Sequence, residues 1–148
     1  MKVLLIRHGE AVERSENLKD RDRALTSKGR EKLAMSISYL KTALKNKKIR
    51  VCSSPLLRAI QTAEYLSNDI DIQDFVASGS LDEFKQYVLH QREFDILIIV
   101  GHEPYLSSWI YSLTKQSIEV KKGMLVELIW PSQLGQVLKL KEYQRIDL

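Results

Sequence analysis

Three short runs of apolar residues punctuate the chain: Val3-Leu4-Leu5-Ile6, Ile49-Arg50-Val51-Cys52 and Phe94-Asp95-Ile96-Leu97-Ile98-Ile99-Val100. The first and third are almost continuous and rich in branched side chains, the pattern of strands covered on both faces in a parallel sheet. Between them the spacing becomes helical. Leu33, Ile37, Leu40 and Leu44 form one apolar stripe, with Thr26 placed to cap the helix N-terminus. Lys41, Lys45, Lys47 and Lys48 gather at the far end, where cations complement the helix dipole. Ser54 and Pro55 predict a cap and first turn for a second helix burying Ala59, Ile60, Ala63 and Leu66. Gln73–Ala77 reads as another short strand. Ser80-Leu81-Asp82-Glu83 has the form of a capping box, opening a helix with Leu81, Phe84 and Val88 inward. Pro104 starts a further helix carrying Leu106, Trp109, Ile110 and Leu113.

The tail changes character. Met124–Trp130 and Gln136–Tyr143 flank the turn Pro131-Ser132-Gln133-Leu134-Gly135 as a hairpin. Leu138 and Leu140 alternate with Lys139 and Lys141, as in a half-exposed strand guarded by charge. No repeat, low-complexity segment or long linker interrupts the pattern. It predicts an α/β fold, a three-layer α/β/α sandwich on a mostly parallel mixed sheet with a C-terminal β-hairpin. At 148 residues the chain is expected to form one domain, 1–148.

Composition narrows the class. With 44% hydrophobic and 28% charged residues the chain is of the globular kind, neither disordered nor fibrous. No apolar stretch approaches the ~20 residues that cross a bilayer, so no membrane partner is expected. The chain opens on a strand-like run rather than a signal peptide, and one cysteine makes no internal disulfide. A cytoplasmic location is the expectation. The net charge of +4 comes largely from Lys45, Lys47, Lys48, Arg50 and the C-terminal lysines. Few aromatics interleave them, which points to a solvated face and no nucleic-acid partner.

The candidate chemistry sits at the ends of the three runs. Arg7-His8-Gly9-Glu10 follows the first, Ser53-Ser54-Pro55-Leu56-Leu57-Arg58 the second, and Gly101-His102-Glu103-Pro104 the third. In open α/β sheets ligands bind beyond the carboxyl ends of the strands. If these strands are parallel neighbours, two histidines, two arginines and two helix N-termini converge there, a set suited to a multiply charged oxyanion such as phosphate. Glu10 is placed to pair with Arg7, and Arg21 and Arg23 read as surface charge. A rival design is the Cys52-x5-Arg58 spacing of a thiolate phosphatase. It fits badly, because Pro55 lacks an amide hydrogen, no glycine relieves the loop, and Cys52 reads as a strand residue.

"RHGEA" at 7–11, "ALTSKG" at 24–29, "SSPLLRAIQTA" at 53–63 and "VGHEP" at 100–104 resemble, in order, the motifs of the histidine phosphatase superfamily, which includes the phosphoglycerate mutases and acid phosphatases. The chain's brevity and the short Ala77–Phe94 interval look most like the SixA-type phosphohistidine phosphatases. The resemblance implies a phosphoglycerate mutase-like fold with His8 as nucleophile. It also implies that Arg7 and Arg58 bind phosphoryl oxygens, that His102 completes the pocket, and that Gly9 joins the substrate-binding set. Leu81-Asp82-Glu83 resembles the family's Leu-x-Glu segment, making Glu83 the candidate general acid, with Asp82 a weaker substitute; the capping-box reading of Glu83 competes on equal terms. An attacking histidine must be neutral, with its other nitrogen held by a backbone carbonyl. His102 would serve protonated, its pKa raised by a bound phosphate. No cofactor or metal is expected, since the histidines lack ligand spacing. The expected partner is a phosphohistidine-bearing protein or, alternatively, a small phosphorylated metabolite; from another class, an inactive phosphate-binding module is the remaining reading.

Overall fold

The computed structural model describes residues 1–130, the Tyr39 side chain excepted, and the backbone of residues 139–145. Six strands form one sheet: β1 (Lys2–Arg7), β2 (Ile49–Ser53), β3 (Ile70–Ile72), β4 (Ile96–Gly101), β5 (Met124–Ile129) and β6 (Lys139–Arg145). Their spatial order is β3-β2-β4-β1-β5-β6. The first four run parallel, while β5 lies antiparallel to β1 and β6 antiparallel to β5. The pairing of β5 with β6 is the expected C-terminal hairpin. Its turn at 131–135 and the Leu138/Leu140 alternation lie outside the described residues.

Helices cover both faces because both side-chain sets of the central strands are apolar. Val3 and Leu5 face one cluster with Phe84, Trp109 and Ile110; Leu4 and Ile6 face another with Leu33, Ile37 and Ala63. The second cluster lies under α1 (Ser27–Ala43) and α2 (Leu57–Glu64), the first under α3 (Phe75–Ser78), α4 (Leu81–Leu89) and α5 (Tyr105–Thr114). The three predicted layers are present. Among the described residues no helix is long and apolar enough to cross a membrane.

Local expectations hold where a cap or stripe is strong. Thr26 Oγ1 accepts from the Gly29 amide at 2.9 Å, and the Leu33–Ile37–Leu44 stripe of α1 is buried. Ser80 caps α4 by accepting from the Glu83 amide at 3.2 Å. Two expectations fail. Gln73–Ala77 is not a strand: β3 ends at Ile72 and Phe75–Ser78 turns as α3. Adjacent Phe75 and Val76 both enter the same core cluster, which a helix turn permits, whereas in a strand they would point to opposite faces of the sheet. Nor does Ser54 cap α2. That helix starts at Leu57 behind Leu56, whose side chain has no acceptor to cap it, and Ser54 Oγ accepts from the Leu56 amide, ahead of the first turn.

Candidate active site

The order β2-β4-β1 makes the three cluster-bearing strand tips neighbours, and the register keeps them level. Arg7 lies opposite Gly101, and Ser53 opposite Val100. The ladder runs one residue further on each side: the His8 amide donates to Gly101 O at 3.1 Å, and the Ser54 amide to Val100 O at 3.3 Å. Residues far apart in sequence thus arrive at one crevice.

His8 and His102 come together with ring centroids 5.1 Å apart and planes at 50°. Both are buried. His8 Nδ1 lies 2.7 Å from Gly9 O. A carbonyl only accepts, so the ring proton is on Nδ1 and the Nε2 lone pair is free. Burial is the main force on its pKa, pushing it to about 3 against the opposing Gly9 hydrogen bond; the nearby His102, Arg58 and Arg7 charges push the same way as burial. The neutral, oriented imidazole expected of a nucleophile is present.

His102 is held differently. Its Nε2 lies 2.6 Å from Ser54 Oγ, which already accepts from the Leu56 amide at 3.2 Å. The hydroxyl can donate to Nε2 or accept from it, and Nδ1 is a buried atom without a partner. Burial, then Arg58, lower the His102 pKa to about 4. At that pKa the imidazole is neutral, and the protonated His102 of the sequence reading belongs to a site that holds phosphate.

Arg58, from the first turn of α2, is buried at 6% exposure. Its Nη1 donates to Asp20 O at 2.9 Å and its Nη2 to Asp20 Oδ2 at 3.2 Å, while Nε is buried and unpartnered. Arg7 donates from Nη1 to Val120 O at 3.1 Å, and its Nε too is buried without a partner. Arg7, Arg58 and His102 all stand close enough to His8 to act on it electrostatically, and both guanidiniums keep N–H donors beyond the bonds named, a set suited to an oxyanion.

Gly9, expected to bind substrate, has both backbone groups engaged within the protein: its carbonyl on His8 and its amide on Thr62 Oγ1 at 3.1 Å. Glu10 does not pair with Arg7; it accepts from Thr26 Oγ1 at 2.9 Å. Glu83 is exposed on α4, and its carboxylate makes no hydrogen bond or ion pair among the described residues. Cys52 is fully buried in β2 between Asp71 and Ile99, and burial drives its thiol up to about 12. Among the described residues, no group of three or more His, Cys, Asp or Glu could hold a metal ion.

Three site residues escaped the sequence reading. Ser54 has the sequence signal of a helix cap and instead meets His102. Thr62, which donates to Arg58 O at 2.7 Å while holding Gly9, lies on the buried face of α2 with Ala59 and Ala63, and a polar residue on an apolar stripe was its signal. Asp20 carries no local signal. Arg23, read as surface charge, is mostly buried: its Nε donates to Val12 O at 2.7 Å and its Nη1 to Asp20 Oδ1 at 2.9 Å.

The family model of the histidine phosphatase superfamily (branch 1) matches residues 3–117. The chain belongs to this superfamily. A relative from Picosynechococcus sp., itself uncharacterized, is 32% identical over 143 residues, covering 86% of this chain and 84% of that one. Among solved structures, the protein histidine phosphatase SixA complexed with tungstate superposes with a TM-score of 0.85 at 18% identity, over 99% of this chain and 97% of that one. A phosphoserine phosphatase mutant from Entamoeba histolytica in complex with phosphoserine gives 0.72 at 17%, over 98% and 97%. The phosphoglycerate mutase-like α/β fold expected from the motifs is therefore the observed one.

Proposed function

We propose that this histidine phosphatase superfamily member works as a single domain that hydrolyses phosphohistidine on a protein, through a phosphorylated His8. The supporting observation is the His8 imidazole itself. Its Nδ1–H is fixed on Gly9 O, so Nε2 presents a lone pair beside Arg7, Arg58 and His102. In the first step Nε2 attacks phosphorus in line and forms a P–N bond. The bond from phosphorus to the substrate nitrogen breaks, and its electron pair leaves with the substrate imidazole. Water then attacks the phosphorus on His8, the new P–N bond breaks, and inorganic phosphate departs. Phosphoryl transfer asks mainly for positioning and charge stabilisation. Arg7, Arg58 and His102 supply them to the phosphoryl oxygens.

Two features favour a protein-borne phosphohistidine. The segment between Ala77 and Phe94 holds little beyond α4, so this interval carries no inserted roof for a small substrate. The candidate acid Glu83 is exposed and unanchored, which an imidazole leaving group tolerates better than an alkoxide does. The second reading, a phosphatase for a small phosphorylated metabolite, draws support from the similar fold of the phosphoserine-bound E. histolytica protein. An inactive phosphate-binding module would have no use for the oriented Nε2 lone pair. Turnover of a phosphohistidine protein and of phosphoserine and sugar phosphates at matched concentrations tests the proposal. It predicts hydrolysis of the first well above the others; the reverse order installs the metabolite reading. Under the phosphohistidine reading Glu83→Gln leaves phosphohistidine hydrolysis nearly unchanged.

A further inference from the structure

Arg58 brings a guanidinium into a buried site already holding Arg7 and two histidines, and the carboxylate that answers it comes from outside the motif. Asp20, on a single 3-10 turn at Asp20–Asp22, meets Arg58 twice, through its main-chain oxygen at Nη1 and Oδ2 at Nη2. Among the described residues it is the carboxylate in ion-pair range of Arg58. Asp20 is itself held from the other side. Oδ1 accepts from Arg23 Nη1 at 2.9 Å and lies 3.6 Å from Arg14 Nε, and Arg23 is anchored on Val12 O. Arg23, then Arg58, keep the Asp20 carboxyl below its ordinary range, so it stays an anion.

Taking the crevice as the phosphoryl site proposed above, we infer that Asp20 is a positioning residue that fixes the Arg58 guanidinium for the phosphoryl group. A guanidinium has five N–H donors. Asp20 uses two, one on each terminal nitrogen, and three remain, including the buried and unpartnered Nε. A rotatable arginine becomes a fixed fork with donors to spare. One negative charge is shared among Arg14, Arg23 and Arg58, so the clamp orders Arg58 while the cluster stays cationic. Such pre-organisation favours binding by removing the cost of ordering the side chain when the anion arrives. The opposite arrangement, a carboxylate holding the anion's place and leaving when it binds, uses the same contacts and makes the opposite forecast.

Isothermal titration with inorganic phosphate separates them without turnover. Asp20→Ala is expected to weaken phosphate about tenfold, roughly one charge-assisted hydrogen bond's worth. KM rises in parallel and kcat changes less. Asp20→Asn, which keeps one acceptor oxygen, recovers part of the loss, and Arg23→Ala shifts affinity the same way to a smaller extent. A purely structural role would lower the melting temperature and leave KM and phosphate affinity alone. Tighter phosphate binding by Asp20→Ala establishes the place-holder and overturns the inference, as does unchanged affinity. A wild type that binds phosphate normally but hydrolyses no phosphohistidine contradicts the proposed function, not the role of Asp20.

Discussion

Ser54 Oγ stands 2.6 Å from His102 Nε2, joining the tip of β2 to the tip of β4. The contact fixes the orientation of the second imidazole. Ser54→Ala is expected to release it and to lower kcat/KM about tenfold, the scale of one lost buried hydrogen bond. Steady-state kinetics beside a thermal melt checks this. An unaltered kcat/KM would show that His102 is held by packing alone.

Cys52 is expected to be dispensable. Its thiol is fully buried in β2 and titrates at about 12, far from the thiolate a nucleophile needs. Cys52→Ala retains kcat/KM within about twofold at a stability cost of roughly 1 kcal/mol for the small void. Loss of turnover in a folded variant would return the site to the cysteine.

Gly29 is expected to invert the usual helix rule. Replacing glycine by alanine inside a helix ordinarily stabilises by about 1 kcal/mol. Here the added Cβ would fall on the carbonyl oxygen of Glu10 and 3.2 Å from its carbon, where the first turn of α1 packs on the chain leaving the site. Glu10 O is also tied to the Thr26 amide at 3.0 Å. Gly29→Ala should therefore destabilise by about 1–3 kcal/mol, as overpacking does. Urea denaturation gives the sign.

The buried histidines should make stability depend on pH in a defined window. His8 and His102 titrate at about 3 and about 4 in the folded chain, against 6.5 ordinarily. Between these values the unfolded state binds more protons. Stability therefore falls as pH drops from about 7 towards 4, by up to about 1.4 kcal/mol per pH unit for each histidine. Above pH 7 neither adds slope. His8→Asn should lose its share of the slope; a wild-type profile flat between pH 7 and 5 would contradict the buried neutral pair.

The layered fold was legible in the sequence because its evidence is redundant. Each central strand is apolar on both faces, and the α1 stripe and the caps at Thr26 and Ser80 are local signals that tertiary packing had no reason to override. The meeting of Arg7, His8, Arg58 and His102 followed from strand-end placement together with motif order. The failures share a cause. Ser54 has the chemistry of a helix cap and is recruited by a histidine 48 residues away. Phe75 and Val76 have strand propensity and are folded into a turn by the core they fill. Asp20 reaches Arg58 across 38 residues, a contact no periodicity encodes. Long-range polar partners had to be seen.

The central claim is that His8 Nε2 takes the phosphoryl group. Rapid quenching during turnover, followed by peptide mapping, tests it most directly. The account predicts acid-labile, base-stable phosphate on the peptide containing His8 in the wild type and none in His8→Ala, which is also inactive. Phosphate trapped on another residue, or turnover surviving His8→Ala, would contradict it.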